Sequence, residues 1–208
     1  MAQSEAHTST VFVSRFNRVL AIVIWVIAVA LLVATLAGGG QNAALAFVPA
    51  AFVALLTWTA MWRPYVHVDD SGVRLRNVVR TVDVPWEALI HVDTRYALTL
   101  FTPGHRYSAW AAPAPGRTGT AMAQRAENHG RVGPASAVDG RVRTGDLLGS
   151  ESGQAAHLVR ERWSALLGAG AIEPGVADTA RVAVRWHSWL IVALVVLAAG
   201  SVWSLILL

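Results

Sequence analysis

The 208-residue chain contains no cysteine and no lysine, and only 14% of it is charged. Without thiols there is no disulfide framework, no cysteine-ligated zinc and no thiol nucleophile. All seventeen basic residues are arginine, a usage that points to a GC-rich bacterial genome. Set against thirteen acids they leave a formal +4, too thin a surplus to argue for nucleic acid as a partner. Catalytic motifs are missing too: there is no G-x-S-x-G, no Walker A loop and no G-x-G-x-x-G. The seven histidines (His7, His67, His91, His105, His129, His157 and His187) include no pair at the close helical spacing of a zinc motif. His105 and Ser108 have no third partner for a triad, and Asp69/Asp70 reads as a solvated turn rather than a metal site. No catalytic residue, cofactor or metal ligand is expected, and the chain reads as a non-enzyme.

What is present is apolar. A soluble domain carries about 45–50% apolar residues, whereas this chain has 54% and a mean hydropathy of +0.45. Three uncharged runs carry the excess: Val19–Ala37, Ala43–Trp62 and Trp186–Leu208. A hydrocarbon core of about 30 Å needs about 20 apolar residues at 1.5 Å each, so each run is long enough to span. The five residues Gly38–Asn42 leave room only for a turn, giving a helical hairpin. An alternative reading of the first run is a signal peptide behind Arg15 and Arg18, with Thr35 and Ala37 at the cleavage site. Its apolar stretch exceeds the usual ~7–15 residues, and a second span follows at once. Pro49 reads as a tolerated proline, and Ala30/Ala34 and Ala50/Ala54 have the spacing for close helix contact.

The juxtamembrane arginines set the expected orientation. Arg15 and Arg18 precede the first run, Arg63 follows the second, and Arg181 and Arg185 precede the third. The opposite ends carry no basic side chain, so the positive-inside rule places the N-terminus and residues 63–185 in the cytoplasm and the C-terminus outside. Each of these arginines can add about 1 kcal/mol of attraction to an anionic leaflet.

From Tyr65 the pattern alternates. Val66 and Val68 alternate with Tyr65, His67 and Asp69; after the turn Asp70-Ser71-Gly72, Val73 and Leu75 alternate with Arg74 and Arg76. Val82, Val84 and Trp86 continue it, with Pro85 at a strand end. A fourth strand is expected over Ile90–Phe101, where Val92, Tyr96, Leu98 and Leu100 share a parity. A turn at Thr102–His105 and a fifth strand over Arg106–Ala111 follow. The sheet needs a cover, and Gln154–Leu167 supplies a helical stripe of Val159, Trp163, Leu166 and Leu167 behind Ser150 or Ser152 as N-cap. Between them Pro113–Gly153 holds eight glycines, three prolines and no aromatic, the composition of a flexible insertion.

The stretch from Arg63-Pro64-Tyr65 through Asp69-Asp70-Ser71-Gly72 to Arg74-Leu75-Arg76-Asn77 resembles the start of the small bacterial pleckstrin-homology (PH) domains of actinobacterial membrane proteins. Val84-Pro85-Trp86-Glu87, Trp110 and the helix with Trp163 are similar to later features of that family. The resemblance implies a curved antiparallel sheet closed by one helix, with Gly72, Pro85, Trp86, Trp110 and Trp163 in structural roles and binding rather than catalysis as the task. Lipid-binding PH domains carry basic residues in the first hairpin loop; here that loop is Asp69-Asp70-Ser71-Gly72, which repels phosphate.

The expected fold class is thus an α+β membrane protein: three transmembrane helices plus a small PH-like antiparallel sheet domain capped by one C-terminal helix. Its parts are a tail (1–18), a hairpin of spans (19–37 and 43–62), a sheet (63–111), a linker or insertion (112–153), a capping helix (154–168), a linker (169–185) and a third span (186–208). The expected function is an interaction or scaffolding module binding a protein segment at the cytoplasmic face of the cell membrane. The alternatives are an accessory subunit of a membrane enzyme or transport complex, and an anionic-headgroup sensor. Arg74 and Arg76 share one side of a strand within reach of Asp83 and are the candidate anion or partner contact.

Overall fold

The computed structural model describes residues 9–40, 42–115, 147, 149–172 and 180–207. The chain divides into a β-rich unit (Met1–Val13, Tyr65–Asn77 and Thr81–Arg185) and a helical unit (Ser14–Pro64, Val78–Arg80 and Trp186–Leu208). Most of the expected linker 112–153, part of the linker 169–185, His7, His129 and Leu208 lie outside the described residues.

The β-rich unit is built on the alternation read from Tyr65 onward. Strands β1 (Thr10–Phe12), β2 (Tyr65–Val68), β3 (Gly72–Arg76), β4 (Arg80–Pro85) and β8 (Ala183–Trp186) form one sheet in the order β1-β2-β3-β4-β8. Strands β5 (His91–Asp93), β6 (Ala97–Thr102) and β7 (His105–Pro113) form a second, in sequence order. β1–β2, β2–β3, β3–β4, β5–β6 and β6–β7 pair antiparallel. Val66, Val68, Val73, Leu75, Val82 and Val84 point inward from the first sheet and Val92, Leu98, Leu100 and Ala109 from the second, all buried.

Among the described residues eight strands replace the five expected. The segment Ile90–Phe101 is two strands, because Thr94-Arg95-Tyr96 turns the chain: the Asp93 carboxylate accepts the Thr94 N–H at 2.9 Å and the Tyr96 carbonyl accepts the Ala114 N–H. Val92, Leu98 and Leu100 keep one parity on either side of that turn, but Tyr96, expected inward, lies in it and is 78% exposed. The tail and the linker before the third apolar run supply β1 and β8, too short to read by periodicity. The Pro103-Gly104 turn is as expected, with Gly104 in the left-handed region (φ +72°).

Asn77 stitches the two sheets. Its amide donates to the Ser108 carbonyl at 2.8 Å and its carbonyl oxygen accepts the Trp110 N–H at 2.8 Å, so one side chain stands in for a strand neighbour along β7. Helix α3 (Glu151–Gly168) covers the open side, starting at Ser150, whose hydroxyl accepts the Gly153 N–H. Ala155, Ala156 and Val159 are buried, and Trp163 and Leu166 pack on the core. Leu167, expected in that stripe, lies outside the packed set, because the sheet takes the helix from Ala155 and Ala156, four and three residues before Val159.

The helical unit holds three helical segments long and apolar enough to cross a membrane, Arg15–Ala37, Ala43–Trp62 and Ser188–Leu207. Helix α1 (Arg15–Ala37) begins four residues before its apolar run, because the Ser14 hydroxyl caps it by accepting the Asn17 N–H at 2.9 Å. Arg15 and Arg18 are therefore helical rather than part of a tail. The second segment is a 3₁₀ turn (Ala43–Ala46), helix α2 (Phe47–Thr57) and a π turn (Trp58–Trp62). Pro49 sits in the first turn of α2. Proline has no N–H to donate; the Leu45 carbonyl accepts a backbone N–H at the end of the 3₁₀ turn and, in addition, the Ser204 hydroxyl of α4 (Ser188–Leu207) at 2.6 Å. The Asn42 amide donates to the Leu207 carbonyl at 2.7 Å at the same end of the bundle.

Leu100→Ala, which empties a fully buried site, is expected to lower stability by about 2–5 kcal/mol. Tyr96→Ala, of the same parity in the sequence, should stay within about 0.5 kcal/mol. Chemical denaturation of the detergent-solubilised protein, followed by tryptophan fluorescence, separates the two; equal losses would place Tyr96 in the core after all.

Candidate functional site

The first hairpin is where a PH-like sheet would meet a ligand, and its chemistry starts at the turn. The Asp69 carboxylate folds back over it, accepting the Ser71 N–H at 2.8 Å, the Ser71 hydroxyl at 2.6 Å and the Gly72 N–H at 3.1 Å. His67 Nδ1 lies 3.3 Å from its other oxygen. Burial alone would raise the Asp69 pKa, but the Ser71 hydroxyl, the Ser71 and Gly72 amides and the His67 charge together hold it below the usual carboxylate value. Asp70 turns the other way and pairs with Arg162 of α3. Both acids of the turn are thus engaged within the fold.

Gly72 is required by space. A Cβ there would lie 2.2 Å from the Val84 carbonyl oxygen, at a backbone φ of +154°. Behind it Pro85 ends β4, and Trp86, 2% exposed, donates its indole N–H to the Asp69 carbonyl at 2.9 Å. The signature Pro-Trp therefore locks the turn from beneath.

On the outer face Arg74 stands opposite Asp83 in register, and its Nε donates to Oδ1. Arg185 reaches Oδ2 of the same carboxylate at 2.7 Å. The hydrogen bond that Arg74 donates to Asp83 is the main reason its pKa is raised. Arg76 does not join them: it stands opposite Thr81, with its guanidinium 5.6 Å from the Tyr65 ring centroid. An open cleft of about 280 Å³ is lined by Asp69, Ser71, Arg74, Asp83 and Arg181. Two guanidiniums on one carboxylate leave N–H donors in surplus there, a chemistry of hydrogen-bond donation to an anion.

The remaining candidates scatter. Trp163 packs on the core, as expected of a structural residue. Trp110 does not: its ring is 56% exposed on the outer side of β7, because Tyr107, Ala109 and Ala111 take the inward parity, and only its backbone ties the sheets. Of the juxtamembrane arginines, Arg181 and Arg185 belong to the β-rich unit and Arg15, Arg18 and Arg63 to the helical unit. Sequence reading overlooked Asn77, whose only signal is that it ends the alternation after Arg76. It also overlooked Arg162, whose partner Asp70 is far away in the chain. His105 stacks on Tyr107, and Ser108 is 2.9 Å from the Thr99 hydroxyl. Among the described residues no three His, Cys, Asp or Glu side chains cluster closely enough to hold a metal ion.

Residues 63–147 match the family model described as a bacterial PH domain. The chain carries a bacterial PH domain. The match begins at Arg63, takes in the hairpin with Gly72 and Pro85-Trp86, and stops short of α3, while β1 and β8 also lie outside it. No curated protein and no solved structure matches the chain.

In this PH domain Gly72→Ala is expected to cost about 1–3 kcal/mol or more, since the Val84 backbone cannot yield as a side chain would. Asp69, with its pKa lowered on folding, contributes stability that is fully present above its unfolded value of about 3.9 and is lost as pH falls through the lower folded value. Acid titration of unfolding should therefore show a steeper loss below about pH 4 in the native chain than in Asp69→Asn. Superimposable profiles would refute the capping role.

Proposed function

We propose that the protein is a non-enzymatic interaction module. Three spans anchor it in the cell membrane, and its PH domain, on the cytoplasmic side, binds an acidic segment of a partner protein. Membrane anchoring is supported by how little the apolar helices bury among themselves: 6%, 11% and 17% of their most apolar windows. Side chains such as Val26, Leu31, Val195 and Val202, all more than half exposed, need an apolar solvent. Orientation follows from arginine placement: Arg15, Arg18 and Arg63 gather at one end of the spans, and Gly38–Asn42 has none.

The observation that carries the partner reading is the hairpin itself. Its turn is closed by Asp69 and Asp70 rather than opened by basic side chains, so a phosphoinositide finds repulsion there. The surplus donors lie on the outer face instead, at Arg74, Arg181 and Arg185 beside β8, which ends its sheet and whose residues are exposed throughout. An extended acidic segment added beside β8 would gain main-chain hydrogen bonds from the edge and charge-assisted ones from these arginines.

Two experiments test this. The chain has no cysteine, so Gly40→Cys and Tyr96→Cys each carry a single thiol. An impermeant maleimide added to intact cells should label the first and reach the second only after permeabilisation; the reverse pattern would invert the topology. Proximity labelling from the PH domain in native membranes should enrich a protein partner that Arg181→Ala/Arg185→Ala loses by about tenfold or more, given ~1.5–3 kcal/mol for hydrogen bonds to charged groups. Unchanged enrichment, or binding of the native chain to phosphoinositide vesicles through Arg74 and Arg76, would overturn the reading.

A further inference from the structure

The helical unit contains Arg15, Arg18, Arg63 and Arg80 and not one Asp or Glu in Ser14–Pro64, Val78–Arg80 or Trp186–Leu208. The whole formal +4 of the chain therefore falls on this unit, and the other thirteen arginines are matched by the thirteen acids. All four gather at one end of it: three lie over a tryptophan ring, and Arg15 is one helical turn from Arg18. Arg18 lies 5.2 Å over Trp62, Arg63 lies 5.7 Å over Trp58, and Arg80 lies 5.7 Å over Trp186.

The four are not equivalent. Arg63 is only 8% exposed, and its Nη1 serves the Val78 carbonyl at 3.3 Å and His187 Nδ1 at 3.1 Å. A guanidinium only donates, so Nδ1 accepts and this imidazole is neutral at that nitrogen. Arg63 is thus consumed in holding the unit together. Arg15 and Arg18 are exposed, one turn apart on α1. Arg18 is held in place from below: the Trp62 ring lies 5.4 Å from Trp25, tilted by 36°, and the Trp25 indole N–H donates to the Ala54 carbonyl at 3.3 Å. The π turn that places Trp62 closes with the Arg63 N–H on the Trp58 carbonyl at 2.9 Å.

We propose that Arg18, set over the tilted Trp62–Trp25 pair, and Arg15, one helical turn away, form a binding site for the phosphate of an anionic phospholipid headgroup such as phosphatidylglycerol. The inference rests on the membrane-anchored reading above and is independent of the PH domain's partner. An oriented guanidinium over an indole keeps its edge N–H donors for phosphate, and the ring limits the rotamer entropy lost on binding. A zwitterionic headgroup brings its own cation and cannot neutralise the unit. The acyl chains of the same lipid meet the exposed apolar face of α1 at Val19, Ile22 and Val26.

The test uses the full chain reconstituted from mixed micelles of phosphatidylglycerol and phosphatidylcholine, with co-purifying lipid measured by mass spectrometry. Phosphatidylglycerol should be enriched over the bulk ratio. The enrichment should fall roughly fivefold for each of Arg15→Gln and Arg18→Gln and persist in Arg106→Gln, an exposed arginine on β7. High salt should collapse the enrichment in the native chain, a readout that needs no variant. Enrichment that survives both Arg15→Gln/Arg18→Gln and high salt would overturn the site. A chain that floats with vesicles after alkaline carbonate but shows no enrichment would sink the inference alone. A chain that carbonate strips from vesicles would sink the membrane reading and the site with it.

Discussion

A guanidinium cannot be neutralised by losing a proton, so every arginine must be given an acceptor, a ring face or water. With seventeen arginines and no lysine, that constraint shapes the protein more than any other. In the PH domain the acceptors are supplied locally: Asp83 serves Arg74 and Arg185, Asp70 serves Arg162, and the Val92 carbonyl serves Arg160 at 3.0 Å. In the helical unit no carboxylate exists to serve, and indoles, a carbonyl and a histidine take their place. Two solutions to one problem divide the chain more sharply than its secondary structure does. The first yields a neutral domain with a locally basic cleft; the second leaves a charge that something outside the chain must balance.

The apolar helices face the complementary constraint, that a backbone group away from water must find a partner. Pro49 removes one intrahelical donor, and the Leu45 carbonyl, which already accepts a backbone N–H, takes a second hydrogen bond from Ser204 of a different helix. With the Asn42 amide on the Leu207 carbonyl, that bond ties α4 to the start of the second segment, 159 residues away in sequence, through a hydroxyl worth little in water and more in a dry setting. Gly200 supports the same contact: a Cβ there would lie 3.2 Å from Val48 Cγ1. A proline tolerated in isolation thus sits beside a specific helix–helix contact.

Much of this was legible in the residues. Continuous apolar runs, period-two alternation and the Asp-Ser-Gly turn are local signals, and they located the three long helices, the first hairpin and the covering helix. The failures share a cause. Ile90–Phe101 kept its composition while Thr94-Arg95-Tyr96 turned the chain, and composition does not record a turn made by Asp93 capping its own neighbour. Strands β1 and β8 have three and four residues, below the length at which alternation can be seen, and exist because partners recruit them. Trp110 is given a structural role by resemblance alone; parity, set by Tyr107 and Ala109, leaves its ring outside the core.

The candidate cleft was half legible for the same reason. Arg74 and Asp83 are nine residues apart across one hairpin, and register alone brings them together. Arg185 comes to Asp83 across 102 residues, and its arrival changes the meaning of the pair. With one guanidinium, Asp83 would be a neutral surface salt bridge of the kind that contributes little. With two, the carboxylate is oversubscribed, and each arginine keeps donors that the fold does not use. In this PH domain the first hairpin loop is closed by its own aspartates, and the unused donors stand on the sheet face rather than in the turn, the placement that the proposed acidic segment would use.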